Sequence, residues 1–301
     1  MRPVTYECVR WAASDGVELT GFLTGARCHH VALYLHGLGG NGYRATMIPA
    51  LAGALRRSGI GLFAINTRGH DIVAARTRGR RRSNTNGAVY EVFTECLHDL
   101  RGAMTYLRTR GVRTVSLIGH STGANKIAYA LQRRCRVRGL RIASAVYLAP
   151  GDDIGIQRRW LGVARYHAMQ RLAVRLRRRD PFRLMPVKNL GYLDISAASY
   201  HSLYGERSRM DQFPFRMLQR SAKWRRLARQ QIPGMIVLGV NDEYLPTSAA
   251  AIRDFLTATC PKLPVQLVPH AGHSFHGREQ AMASVVSDFV RRTKRVFRTT
   301  C

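Results

Sequence analysis

At 301 residues, 46% of them hydrophobic, the chain suits one large core with an insertion, and two full domains would be small. No apolar run reaches roughly eighteen residues, which excludes a spanning helix. Its six cysteines (Cys8, Cys28, Cys96, Cys135, Cys260 and Cys301) form no C-x-x-C pair and no zinc-spaced cluster with histidine, so neither a disulfide scaffold nor a zinc module is expected. The 48 basic and 18 acidic residues give a formal charge of +30, gathered into arginine runs at 76–82 and 158–183. Such a charge suits nucleic acid, an anionic membrane or an anionic substrate; equally, it is a solvated arginine face that says little about fold. The 76–82 run has no interleaved aromatic residues, which weakens a base-stacking role. Residues 1–11 lack the apolar core of a signal peptide, and a soluble cytoplasmic protein is the expectation.

Two alternating segments, 5–11 and 17–23, flank Ser14-Asp15-Gly16 and predict an N-terminal hairpin. Continuous apolar runs at 31–35, 61–65, 114–118, 143–148, 235–240 and 265–268 predict buried strands. Helical periodicity covers 45–57, 90–108, 122–133, 248–257 and 280–292. The alternation of strand and helix predicts an α/β fold around a mostly parallel sheet. Residues 151–232 break this rhythm and contain no convincing strand. There Leu161, Ala164, Ala168, Leu172 and Leu176 recur at helical spacing with arginines opposite, and 215–227 forms a second amphipathic stretch. A core made of 1–150 and 233–301, with 151–232 inserted as a helical cap, is the expected organisation.

Gly119-His120-Ser121-Thr122-Gly123 directly follows one predicted strand and opens a predicted helix. That is the strand–turn–helix context in which a serine is exposed on a sharp elbow between small residues. A serine at its free pKa needs an adjacent base. His273, in His270-Ala-Gly-His273, lies just past the last strand, where a base belongs; its neighbour His270 sits at the strand end and reads as structural. Asp242, after the strand at 235–240, is the expected acid partner of the histidine, with Asp152 (beside Asp153 at another strand end) and Glu243 as alternatives. The backbone N–H groups of Thr122 and of Leu38, in His36-Gly-Leu-Gly-Gly40, are the expected oxyanion donors. A phosphate loop is the rival reading of those glycines, but the Lys-Ser/Thr ending is missing. Lys126 on the elbow helix is expected either on the surface or paired with Asp99. Tyr200, His201 and Tyr204 are candidates either for the pocket wall or for packing of the cap. The arginines Arg158, Arg159, Arg165, Arg171, Arg175 and Arg177 to Arg179 are expected on a helix bordering the pocket, favouring anionic esters.

Taken together, the 36–40 loop, Asn66-Thr-Arg-Gly-His-Asp71, the serine elbow, Asp242 and Ala271-Gly-His273 resemble the α/β-hydrolase superfamily, from about Val31 onward. The Gly-His-Ser-Thr-Gly form followed by Ala-Asn-Lys126 is similar to a subgroup that includes fungal siderophore esterases. One loop departs from the usual Asp-x-Arg-Gly-His-Gly pattern, with Asn66 and Asp71 at its ends. The resemblance implies an α/β-hydrolase fold and a serine hydrolase cleaving a small carboxylic ester or thioester through an acyl-enzyme, with no metal or cofactor. Acyl transfer on the same fold is the alternative, as is a non-catalytic polyanion-binding protein.

Overall fold

The computed structural model describes residues 4–75, 85–188, 191 and 193–296. The arginine run at 76–82 and Cys301 therefore lie outside the described residues. In chain order the elements are β1 (Glu7–Ala12), β2 (Glu18–Thr24), β3 (His30–Leu35), α1 (Met47–Arg57), β4 (Gly61–Ile65), the two-residue strands β5 (Ala74–Ala75) and β6 (Thr85–Asn86), α2 (Cys96–Thr109), β7 (Thr114–His120), α3 (Thr122–Gln132) and β8 (Arg141–Leu148). Four helices follow, α4 (Asp153–Leu161), α5 (Val163–Arg179), α6 (Ala197–Tyr204) and α7 (Ala222–Ala228), and then β9 (Gly234–Gly239), α8 (Ala249–Thr259), β10 (Val265–Val268) and α9 (Glu279–Val296).

Eight strands form one sheet in the order β1-β2-β4-β3-β7-β8-β9-β10. The β1–β2 hairpin and its junction with β4 are antiparallel, and every other pairing in that sheet is parallel. Parallel strands are covered on both faces, which is why β3, β4 and β9 are buried at every position and read as unbroken apolar runs. The alternation of β3 divides the core: Val31, Leu33 and Leu35 join one apolar cluster, while Ala32 and Tyr34 face the cluster built on α1 and α9. The small two-strand ribbon β5–β6 was not among the predicted elements, being too short to carry a period.

The helical region between β8 and β9 differs in three respects from the pattern read in the sequence. The stretch starting at residue 153 is broken at Gly162, which takes φ 75° and ψ 154°, outside the helical region, and separates α4 from α5. Moreover, the predicted stripe is only partly buried: Leu161, Leu172 and Leu176 pack against the core but Ala164 is exposed, and the fully buried residues of α5 are Tyr166, Gln170 and Ala173. Tyr166 Oη and Gln170 Nε2 each donate to the Tyr204 carbonyl at 2.6 Å, at the C-terminal end of α6, where helix carbonyls lack intrahelical partners. A polar contact with a helix end therefore chooses the buried face. The second amphipathic stretch is helical only from Ala222, behind the Ser221 cap whose hydroxyl accepts from the Trp224 N–H. Among the described residues no helix is long and apolar enough to cross a membrane.

Candidate active site

The site lies at the C-terminal ends of β3, β7, β8, β9 and β10. Ser121 links β7 to α3 with φ 53° and ψ −125°, a left-handed backbone that places its side chain above the turn. Glycine is required on both sides of it. A Cβ on Gly119 would stand 2.4 Å from the Gly123 carbonyl oxygen, and one on Gly123 would stand 2.3 Å from that of Leu35.

His273, in the loop after β10, has its Nε2 2.9 Å from Ser121 Oγ. Its Nδ1 lies 3.0 and 3.1 Å from the two carboxylate oxygens of Asp242, in the turn after β9. The carboxylate can only accept from Nδ1–H, which leaves Nε2 free to accept the serine proton. Both side chains are buried, Asp242 almost fully and His273 mostly. The edge of the Tyr244 ring packs against the imidazole at 4.7 Å between centroids. Glu243 Oε2 accepts the His273 backbone N–H at 3.0 Å, and His120 Nε2 donates to the His273 carbonyl at 2.9 Å. Burial, with the neighbouring His273 second, lowers His120 to about 4, so it remains neutral.

Of the residues considered as the acid, Asp242 alone faces Nδ1. Glu243 holds the loop backbone, and Asp152 is turned away, capping α4 at the Gly155 N–H and pairing with Arg216. His270 is exposed in a left-handed turn outside the site.

Thr122 is the first residue of α3, so its N–H has no intrahelical acceptor. The Leu38 N–H is aimed by a relay that the sequence did not reveal. The Thr67 backbone N–H donates to His36 Nε2 at 3.1 Å, which fixes the proton on Nδ1; that proton is donated to the Gly37 carbonyl at 2.7 Å. Across the trans Gly37–Leu38 peptide the N–H points opposite to the carbonyl it follows. Gly37 also packs under Ser121, where an added Cβ would lie 2.9 Å from Ser121 Cβ. Burial and then the nearby Lys126 charge push His36 down to about 3 and keep the relay neutral.

Lys126 is neither exposed nor paired with Asp99. It is completely buried with Nζ 2.5 Å from Glu91 Oε1, and it donates to Thr67 Oγ1 at 3.2 Å. Asp99 instead accepts the Arg68 backbone N–H and Nε at 2.9 and 2.8 Å. Glu91 has no local pattern around it, and no motif in the chain marks it.

The two departures from the resembled loop pattern tie the 66–71 loop to residues 41 and 42, just beyond the 36–40 loop. Asn66 Oδ1 accepts the Gly42 N–H at 2.8 Å, and Asp71 accepts Asn41 Nδ2 at 2.7 Å. Asp71 has φ 56°, the backbone that a glycine normally supplies.

These residues open into a cavity of about 460 Å³ whose wall includes Leu38, Arg44, Asp153, Ile156 and Tyr244 with Ser121 and His273 at its base. None of the arginines from 158 to 179 lines it, because the cavity meets this region only through Asp153 and Ile156 of α4. Tyr200 and Tyr204 are also absent from the wall; they are buried against one another at 5.2 Å between centroids, and His201 beside them is half-buried.

Residues 32–285 match the sequence profile of the alpha/beta hydrolase family. No curated protein sequence matches the chain. Among solved structures, an esterase from Pyrococcus furiosus is similar over 96% of this chain and 91% of its own, at 14% identity and TM-score 0.58. The Est1E protein of Butyrivibrio proteoclasticus, solved with ferulic acid bound, is similar over 94% of this chain and 98% of its own, at 14% identity and TM-score 0.62. The esterase domain of a Rhodothermus marinus protein gives 96% and 98% coverage, 13% identity and TM-score 0.57. At these identities the likeness is one of fold.

Proposed function

The chain belongs to the alpha/beta hydrolase family, and from that premise we propose that it is a serine hydrolase of small carboxylic esters or thioesters, working through an acyl-enzyme. The observation that carries this reading is the single line of contacts from Ser121 Oγ through His273 to Asp242, at 2.9 and 3.0 Å, opening on a cavity. Ser121 Oγ forms a bond to the carbonyl carbon while its proton passes to His273 Nε2. Asp242 holds the imidazole tautomer and stabilises the imidazolium. The N–H groups of Leu38 and Thr122 receive the oxyanion. As the carbon–oxygen or carbon–sulfur bond breaks, His273 returns the proton to the leaving alkoxide or thiolate. Water then attacks the acyl-enzyme by the same route and releases the acid. Residues 151–232 serve as a cap, supplying Asp153 and Ile156 to the cavity wall.

A fluorophosphonate probe tests the reading. It should label the wild-type protein at Ser121, and Ser121→Ala should remove both the label and the turnover of p-nitrophenyl esters. Labelling that persists in Ser121→Ala would refute the assignment.

A further inference from the structure

Six acidic side chains are buried among the described residues: Glu91, Asp99, Asp152, Asp153, Asp211 and Asp242. Five of them have a basic partner: Lys126 for Glu91, Arg68 for Asp99, Arg216 for Asp152, Arg216 and Lys223 for Asp211, and His273 for Asp242. Asp153 forms no ion pair with any described residue, although basic residues outnumber acidic ones by 48 to 18. Leaving a buried carboxylate without a cation is costly, and a protein rich in arginine had every means to avoid it. The exception is also the acid whose side chain forms part of the wall around Ser121 and His273.

Its hydrogen bond to the residue after Ser121 places it further. Thr122 Oγ1 donates to Asp153 Oδ2 at 3.2 Å. Under the serine-hydrolase reading, the backbone N–H of that same threonine holds the oxyanion. The carboxyl group thus stands about one side chain away from the reacting carbonyl.

We propose that Asp153 is the receptor for a protonated amine on the substrate, so that the preferred ester carries an ammonium group a few bonds from its reacting carbonyl; this rests on the serine-hydrolase reading above. The ammonium supplies the cation that the fold withholds, with three donors for the carboxylate. Neutral esters of the same shape leave Asp153 unpaired. The charge preference read from the arginine-rich segment is reversed, because the cavity wall and not the α5 surface meets the substrate.

Burial raises the Asp153 carboxyl to about 6, His273 and the Thr122 hydroxyl lower it, and Asp152 raises it again. Tyr34, His36, Arg44, His120, Glu243 and Tyr244 are the other titratable or charged groups lining the cavity. Ammonium recognition needs the ionised carboxylate, so it should strengthen as pH rises through about 6.

The test compares p-nitrophenyl 3-aminopropanoate with p-nitrophenyl butanoate, in which a methyl group replaces the ammonium. Salt of about 0.3 M screens the net charge of the protein. The ratio of kcat/KM for the two esters is measured in wild type, Asp153→Asn and Asp153→Ser, with fluorophosphonate labelling reporting an assembled site. The ratio should fall by about tenfold or more in either variant, as befits loss of a charge-assisted hydrogen bond. In wild type alone, the ratio should rise between pH 5 and 7.5; ionisations that both esters need equally cancel in the ratio. A ratio that is flat with pH, or unchanged in a variant that still labels, would overturn the proposal. Wild type that neither labels nor turns over butanoate would instead overturn the serine-hydrolase reading.

Discussion

Lys126 Nζ lies 2.5 Å from Glu91 Oε1, with both side chains sealed from water. The pair sits beneath the loop that carries Leu38, reaching it through Thr67 and His36. Two opposed charges taken out of water stabilise little in net terms, but either one alone is expensive. Lys126→Met should therefore cost about 3–5 kcal/mol, and Lys126→Met with Glu91→Leu should recover most of that loss. Urea unfolding of the two variants decides it; a single variant within about 1 kcal/mol of wild type would show that Glu91 finds another partner or a proton.

The acid of the site is tested by two asparagine variants. Asp242→Asn should lower kcat by about 10²–10⁴-fold, since the imidazole loses the partner of Nδ1. Asp152→Asn should leave kcat much closer to wild type while weakening the hold on Arg216. Steady-state kinetics on one ester is sufficient, and the opposite ranking would move the acid to the end of β8.

Stability should respond to acid through three buried groups. His36 and His120 titrate at about 3 and 4 in the folded protein, well below an ordinary histidine, so the unfolded chain binds protons first. Their contribution is complete above the unfolded value near 6.5 and is lost as pH falls toward 4. Asp153 acts in the other sense: its folded value of about 6 means that the folded state takes up a proton before the unfolded chain does. Between pH 6 and 4 it offsets one histidine, leaving a slope of about 1.4 kcal/mol per pH unit from this trio. Asp153→Asn should steepen the measured slope by about that amount and His120→Gln should flatten it, as read from urea midpoints across the range.

Two glycines near the site should respond differently to an added methyl group. Gly123→Ala brings a Cβ to 2.3 Å from the Leu35 carbonyl, where only backbone could yield. It should cost about 3 kcal/mol or more. Gly272→Ala comes close to Glu243 Oε2, at 3.1 Å, the far end of a side chain, and meets the Asn241 carbonyl oxygen at an ordinary 3.8 Å. Thermal melts should show a large drop in Tm for the first and a small one for the second.

Much of the fold is legible in the sequence because its signals are local. A parallel strand covered on both faces is an apolar run, and β3, β4 and β9 are such runs. Ser121, Asp242 and His273 are recognisable because each lies in a short motif immediately past a strand, and strand ends on one edge of a parallel sheet converge. What is not legible depends on distant pairings. Nothing near Lys126 announces Glu91, and nothing in α5 announces that the Tyr204 carbonyl selects the Tyr166–Gln170 stripe over its neighbour. The relay through His36 is hidden for the same reason, since its tautomer is set by a backbone N–H thirty-one residues away.

The contact between Ser121 and His273 spans 152 positions of the chain. A ribosome makes the serine elbow early and the histidine loop late, after β10 has been added to the edge of the sheet. While synthesis is under way, the growing polypeptide holds a serine with no base beside it. If Ser121 is the nucleophile proposed above, it gains its base only once β10 is in place. On the serine-hydrolase reading, the order of the strands thus makes the nucleophile first and its base last.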